Sequence, residues 1–167
     1  MDQKRRSILD SSTIVVVGDT AWLTAYVGTL QEQFDATVHH VSTASTAHQH
    51  LQETPIDCVI TDYSLPETTG IDLVQDIRER TETLPIILGT ADGSEAVAST
   101  AISAGVTDYL QKGAGTDQYT VLANRIRNAV ERAEAKQDRH RLLDAIETAR
   151  SGISILDEDG TFVFVNS

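Results

Sequence analysis

One cysteine, three prolines and 5% aromatic residues leave this 167-residue sequence short of cross-links, chain breakers and large flat side chains. Cys58 has no second cysteine to pair with, so a disulfide framework and a zinc-cysteine site are both excluded. Its place in the apolar run "DCVIT" predicts core packing. With so few aromatic side chains, the core has to be filled by Val, Ile, Leu and Ala. Positive charge is scarce as well: three Lys and ten Arg stand against 15 Asp and ten Glu, a net charge of -12. A phosphate backbone demands a basic face, so direct nucleic-acid binding by this segment is not expected. No run approaches the ~20 apolar residues of a membrane span. "SILDSS", after the basic "MDQKRR", is too short and polar for a signal peptide. A cytoplasmic protein without membrane contact is the expectation. The 40% of hydrophobic residues argues against disorder, and the length suits one full domain with part of a second.

Short β-branched runs alternate with segments of helical period, the pattern of a parallel sheet with crossover helices. "TIVVVG" (13–18) predicts the first strand, and Leu23, Val27, Leu30 and Phe34 then recur at helical spacing. "ATVHHV" (36–41) predicts the second, followed by a narrow stripe of Ala44, Ala47 and Leu51 that Thr54-Pro55 ends. "IDCVIT" (56–61) is the third, and a helix opening near Gly70 turns Leu73, Val74 and Ile77 inward. After the fourth, "PIILG" (85–89), Asp92 and Glu95 form the expected capping pair of a helix with Val97, Ala101 and Ile102 inward, closed by Gly105. "VTDYL" (106–110) is the fifth, and the last helix buries Tyr119, Leu122, Ile126 and Val130. The expected fold class is therefore α/β, a doubly wound five-stranded parallel sheet with right-handed connections.

In such sheets ligands sit outside the carboxyl ends of the strands. Those ends carry Gly18-Asp19, Asp62, Thr90 and Lys112. Two neighbouring carboxylates share a proton or hold a cation. Mg2+ suits them, since it takes one or two carboxylates together with phosphate oxygens. A carboxylate is also a nucleophile toward phosphorus. Phosphoryl transfer asks mainly for positioning and charge neutralisation, which a metal, a Lys and a hydroxyl supply. Strand ends do carry Asp, Thr and Lys merely because they enter loops, yet four such residues at consecutive ends exceed what that habit explains.

The motifs "VVVGDT", "VITDYSLPETTG", "ILGTAD" and "DYLQKG" closely resemble the receiver domain of two-component response regulators, over about residues 12–132. The resemblance implies a flavodoxin-like fold with Asp62 as phosphoacceptor, receiving its phosphoryl group from a histidine kinase or phosphotransfer protein. It implies Mg2+ held by Asp19, Asp62 and the backbone carbonyl of Ser64. Lys112 would pair with the phosphoryl group, Thr90 would be the switch hydroxyl and Tyr109 the aromatic that follows it, while Pro66 and Gly70 shape the loop. Such a domain is a regulatory phosphoacceptor that assists its own phosphoryl transfer, not an enzyme in its own right, and a full-length protein has room for a histidine kinase module.

Two positions depart from the family pattern. Gly18 stands where receivers usually carry a further acidic residue, so a carboxylate introduced there is expected to tighten Mg2+ binding. Gly113 follows the lysine where Pro is usual, so the cis peptide common there should be absent. The rival reading, made credible by Gly18, is a receiver-like protein-interaction module that is not phosphorylated. A flavin-binding protein of the same topology fits less well, because "GDTAW" places a carboxylate where a phosphate-cradling loop belongs.

No Gly or Pro interrupts residues 116–150, so a linker or signalling helix over 133–150 is expected to continue the last helix. Ala129, Ala133, Lys136, His140 and Leu143 fall near heptad spacing, a poor seam that leaves a homodimer and a solvated linker both open. "ISIL", "DEDG" and "TFVFVN" read as strand, turn and strand, which alone cannot bury their faces. Residues 141–167 resemble the opening of a PAS sensor domain, placed at 151–167, and the chain is expected to break off inside it. His39, His40, His48 and His50 are expected to be surface or half-buried residues rather than metal ligands, since neighbours on a strand face opposite ways. The acidic, lysine-poor composition resembles haloarchaeal, salt-adapted surfaces, where a Debye length of ~3 Å at 1 M salt screens self-repulsion. An ordinary acidic cytosolic surface is the alternative.

Overall fold

The computed structural model describes residues 8–91, 93–113, 117–148, 154–156, 158–160 and 162–165. The chain divides into two compact units, Met1–Glu131 and Arg132–Ser167. A 3-10 turn, Ile8–Ser11, leads into β1 (Thr13–Val17), α1 (Ala21–Gln33), β2 (Thr37–Val41), α2 (Ala44–Glu53) and β3 (Cys58–Asp62). Two short strands, β4 (Ser64–Leu65) and β5 (Thr68–Thr69), pair as a small hairpin before α3 (Gly70–Arg80). Then come β6 (Ile86–Thr90), α4 (Glu95–Ala104), β7 (Asp108–Gln111) and α5 (Asp117–Thr148). In the second unit, β8 (Ser154–Leu156) pairs antiparallel with β9 (Phe162–Val165).

The five long strands form one parallel sheet in the order β2-β1-β3-β6-β7, the doubly wound α/β fold the alternating pattern predicts. Both faces are covered, which is why β1 and β3 read as unbroken apolar runs. Ile14 and Val16 of β1 pack with Leu23, Leu122 and Ile126 from α1 and α5, while Val15 and Val17 pack with Ala47, Leu73 and Ile77 from α2 and α3. This is the period of two that a strand imposes. Cys58 is fully buried, and that burial, helped by the neighbouring Asp57, pushes its thiol up to about 12.

Several expectations shift in detail. Ser94, not Asp92, caps α4: its hydroxyl accepts the Val97 N–H, because only the residue immediately before the helix reaches the third amide. Asp92 itself lies outside the described residues. Ala101 is buried as expected, but Ile102, expected inward beside it, is 70% exposed, since successive helical residues point about 100° apart. Tyr26 joins the core, 1% exposed, although the spacing of Leu23, Val27 and Leu30 does not single it out. β3 takes in Asp62, and β7 starts at Asp108 and ends at Gln111, so Lys112 follows its strand directly. Ala129, placed in a candidate dimer seam by its spacing, is committed to the core instead. In the second unit, Leu142 and Leu143 of α5 are exposed.

Candidate functional site

The chain leaves β1 toward β2 on one side, whereas β3 leads to β6 and β7 on the other. Loops that diverge in this way open a crevice at the carboxyl ends of β1 and β3. The register pairs Val17 with Thr61, Asp62 with Gly89 and Thr90 with Gln111, which gathers Gly18, Asp62, Thr90 and Lys112 on one rim.

Asp62 is fully buried. Its Oδ2 accepts the Thr20 hydroxyl at 2.9 Å. Its Oδ1 meets the Lys112 ammonium as an ion pair. A charge removed from water needs such a partner to remain ionised. Lys112 is anchored by its own N–H, which donates to the Thr90 carbonyl at 2.7 Å, and its ammonium lies 3.4 Å from the Thr20 hydroxyl. Thr90 is buried on the same rim.

The backbone around Asp62 is as closely held as its side chain. Tyr63 N–H donates to the Gly89 carbonyl at 2.8 Å, and Gly70 N–H to the Tyr63 carbonyl at 2.7 Å. The first turn of α3 thereby comes down onto Asp62 so closely that a Cβ on Gly70 would stand 2.1 Å from the Asp62 carbonyl oxygen. Pro66 and Glu67 form the tip of the β4–β5 hairpin, and Glu67 carries the left-handed conformation (φ 68°) that a turn of this kind asks of the residue after proline. Thr69 then caps α3 in a reciprocal box with Asp72, whose carboxyl is held below its usual range by the hydroxyls of Thr69 and Thr68.

Asp19 and Ser64 lie toward the outside. Asp19 is exposed, and its Oδ1 accepts the Ser42 hydroxyl at 2.6 Å; Ser64 is exposed at the start of β4. Tyr109 is half-buried against Ile71, Leu88 and Ala101. Arg125 of α5 pins its strand, donating at 2.8 Å to both the Asp108 carboxylate and the Tyr109 carbonyl. The structure thus brings Asp62, Lys112 and Thr90 together, with Asp19 and Ser64 at the margin and Tyr109 on a neighbouring face.

Three residues at or near the rim were not marked out as site residues by the sequence: Thr20, Trp22 and Gln118. Thr20 is recognisable as an N-cap, accepting the Leu23 N–H at 3.5 Å, but its bond to Asp62 spans 42 residues and no local pattern encodes it. Gly18 overturns one expectation. Its φ is 132°, and a Cβ there would lie 2.7 Å from Asp62 Oδ2 and 2.8 Å from Leu23 Cδ1. On this backbone a carboxylate at position 18 collides with Asp62 before it can serve a metal. Gly113 behaves as expected: no cis peptide occurs among the described residues.

The histidines pair across elements. His39 of β2 stacks on His50 of α2 at 4.7 Å, His48 approaches Asp76 at 3.5 Å, and His40 Nε2 lies 2.6 Å from the Gly18 carbonyl oxygen. Among the described residues no three His, Cys, Asp or Glu side chains converge on a metal site. Mg2+ does not require three: Asp62, Asp19 and the Ser64 carbonyl are all hard oxygen donors, so the chemistry of the residues present fits that ion.

A flavodoxin-like sheet with a buried aspartate, a lysine and a hydroxyl at its switch point defines a narrow class of signalling domain. The sequence model of the response regulator receiver domain matches residues 14–127, and the chain belongs to that family. Its similarity to the regulatory protein LuxO of Vibrio cholerae is 26% identity over 164 residues, 87% of this chain and 36% of that protein. To the chemotaxis protein CheY1 of Helicobacter pylori it is 43% over 56 residues, 32% of this chain and 45% of that one. The signal receiver domain of an HD domain-containing protein from Pseudomonas fluorescens superposes with a TM-score of 0.67 at 26% identity, covering 80% of this chain and 96% of that one. The chain therefore spans less than half of either curated relative.

Proposed function

We propose that this receiver domain takes a phosphoryl group onto Asp62 from the phosphohistidine of a kinase or phosphotransfer protein, in the presence of Mg2+, and so switches its surface. One observation carries the reading: Asp62 is a fully buried carboxylate at the switch point, its charge met by Lys112 and its second oxygen held by Thr20. An Asp62 oxygen attacks phosphorus, the P–N bond breaks, and its electron pair returns to the imidazole of the donor. Asp19, Asp62 and the Ser64 carbonyl would hold Mg2+, which would supply charge neutralisation on the phosphoryl oxygens. Lys112 needs only to exchange a carboxylate oxygen for a phosphoryl oxygen. Thr90 donates its hydroxyl to the same group and Tyr109 follows its movement, which couples the rim to the face around β7. The domain is a regulated acceptor rather than an enzyme.

Acetyl phosphate with Mg2+ tests this directly: the wild-type chain is labelled and Asp62→Asn is not. Equal labelling of the variant would remove Asp62 from the reaction. Gly18 supports a second reading, an interaction module that works unphosphorylated, and a wild type that stays unlabelled at every Mg2+ concentration would favour it.

The remaining parts belong to the same proposal. The receiver spans 12–132, residues 133–150 act as a signalling helix that can support a homodimer, and 151–167 begin a PAS-like domain; of that stretch, residues 149–153, 157, 161 and 166–167 lie outside the described residues. A cytoplasmic location is part of the proposal; no helix among the described residues is long and apolar enough to cross a membrane. The surface is salt-adapted: at a net charge of -12, the melting midpoint should rise markedly from dilute buffer to molar KCl. A midpoint independent of salt would sink that part alone.

A further inference from the structure

We propose that Trp22 and Gln118 are positioning residues that hold the Lys112 ammonium on Asp62 and thereby set the rate at which Asp62 is phosphorylated. The inference rests on the phosphoacceptor reading of Asp62. A lysine ammonium sits on a flexible four-carbon stem, so its aim depends on what confines that stem and the backbone below it. Lys112 N–H is fixed to the Thr90 carbonyl, but the next residue, Gly113, brings no side chain of its own to brace the loop. Its N–H is held instead by Gln118 Oε1 at 3.1 Å. The same oxygen accepts the Trp22 indole N–H at 3.3 Å. An amide oxygen has two lone pairs, so one side chain of α5 ties the loop after β7 to α1.

Both ends of this strap are rigid. Tyr26, buried beneath it, shares its hydroxyl between the Gln118 and Tyr119 carbonyls at 3.0 and 2.9 Å, and its ring packs between Trp22 and Tyr119 at 5.1 and 5.0 Å. The Trp22 ring then lies 5.4 Å from the Lys112 ammonium, within cation-π range. Room for it comes from Gly89, the β6 neighbour of Asp62, where a Cβ would meet the indole at 3.0 Å. Gly113 is equally required. A Cβ there would stand 2.2 Å from Gln118 Nε2, and a proline would offer Gln118 no N–H. Gly89, Gly113, Gln118 and Trp22 thus form one device whose output is the position of Lys112.

The test uses the full 167-residue chain, acetyl phosphate with Mg2+, and the emission of Trp22, the only tryptophan present. Gln118→Leu removes the shared acceptor at similar size. It should label about 10- to 100-fold more slowly, the range expected when a reacting group is misplaced by about 1 Å. Placed on Lys112→Ala, the same substitution should slow labelling no further, because it acts through Lys112; a merely structural defect would slow both backgrounds alike. Trp22 emission should shift in both Lys112→Ala and Gln118→Leu. Trp22→Phe, which keeps a ring and loses the N–H, supplies the labelling comparison if Gln118→Leu does not fold. Wild-type rates in these variants, or an equal slowing in the Lys112→Ala background, would overturn the proposal. If the wild type itself is not labelled, the phosphoacceptor reading fails, and emission alone decides the strap: a shift in both variants upholds its grip on Lys112, and no shift refutes it.

Discussion

Replacing Lys112 by Met should strip Asp62 of its counter-charge and expose how much of the fold depends on that pair. Asp62 is completely buried and the Lys112 side chain is 16% exposed, so water compensates little. At an effective dielectric of ~20, opposite charges ~4 Å apart attract by about 4 kcal/mol, and removing one partner of a buried pair costs about 3–5 kcal/mol. The expected loss at pH 7 is therefore about 3–5 kcal/mol. Adding Asp62→Asn, which removes the orphaned charge as well, should recover most of the stability. Urea denaturation of the wild type and both variants at pH 7 and constant ionic strength measures each quantity. A loss under about 1 kcal/mol in Lys112→Met, or no recovery on adding Asp62→Asn, would refute the reasoning from the buried pair.

Gly70→Ala drives a methyl group against the Asp62 carbonyl, and chemical denaturation should find a loss of about 3 kcal/mol, whereas Gly28→Ala, with open space around it, should cost nothing by the same measurement. Gly18→Asp should lower the melting midpoint, and calorimetric titration should find no gain in Mg2+ affinity, because the new side chain meets Asp62 Oδ2. Cys58, buried with its thiol pushed up to about 12, should react with a thiol reagent only at the rate of global unfolding; fast labelling in native buffer would show that the strand opens locally.

Much of this molecule is local, and therefore legible. The sheet was readable because strands buried on both faces must be apolar throughout, as "TIVVV" and "CVIT" are, and because Gly105 and Thr54-Pro55 end helices by backbone chemistry that needs no neighbour. Order and spacing along the chain likewise put Asp62, Thr90 and Lys112 at strand ends. What surrounds them was decided by tertiary structure alone. Thr20 meets Asp62 across 42 residues and Trp22 meets Gln118 across 96, contacts that exist only once five strands lie in register. Gly18 reads in one dimension as a missing carboxylate; in three it is a backbone with no room for a side chain beside Asp62. The physical reason is the same in each case. Helical and strand periods are properties of a segment, whereas the aim of an ammonium on a carboxylate depends on atoms that distant segments bring within hydrogen-bonding range, and only the packed sheet brings them there.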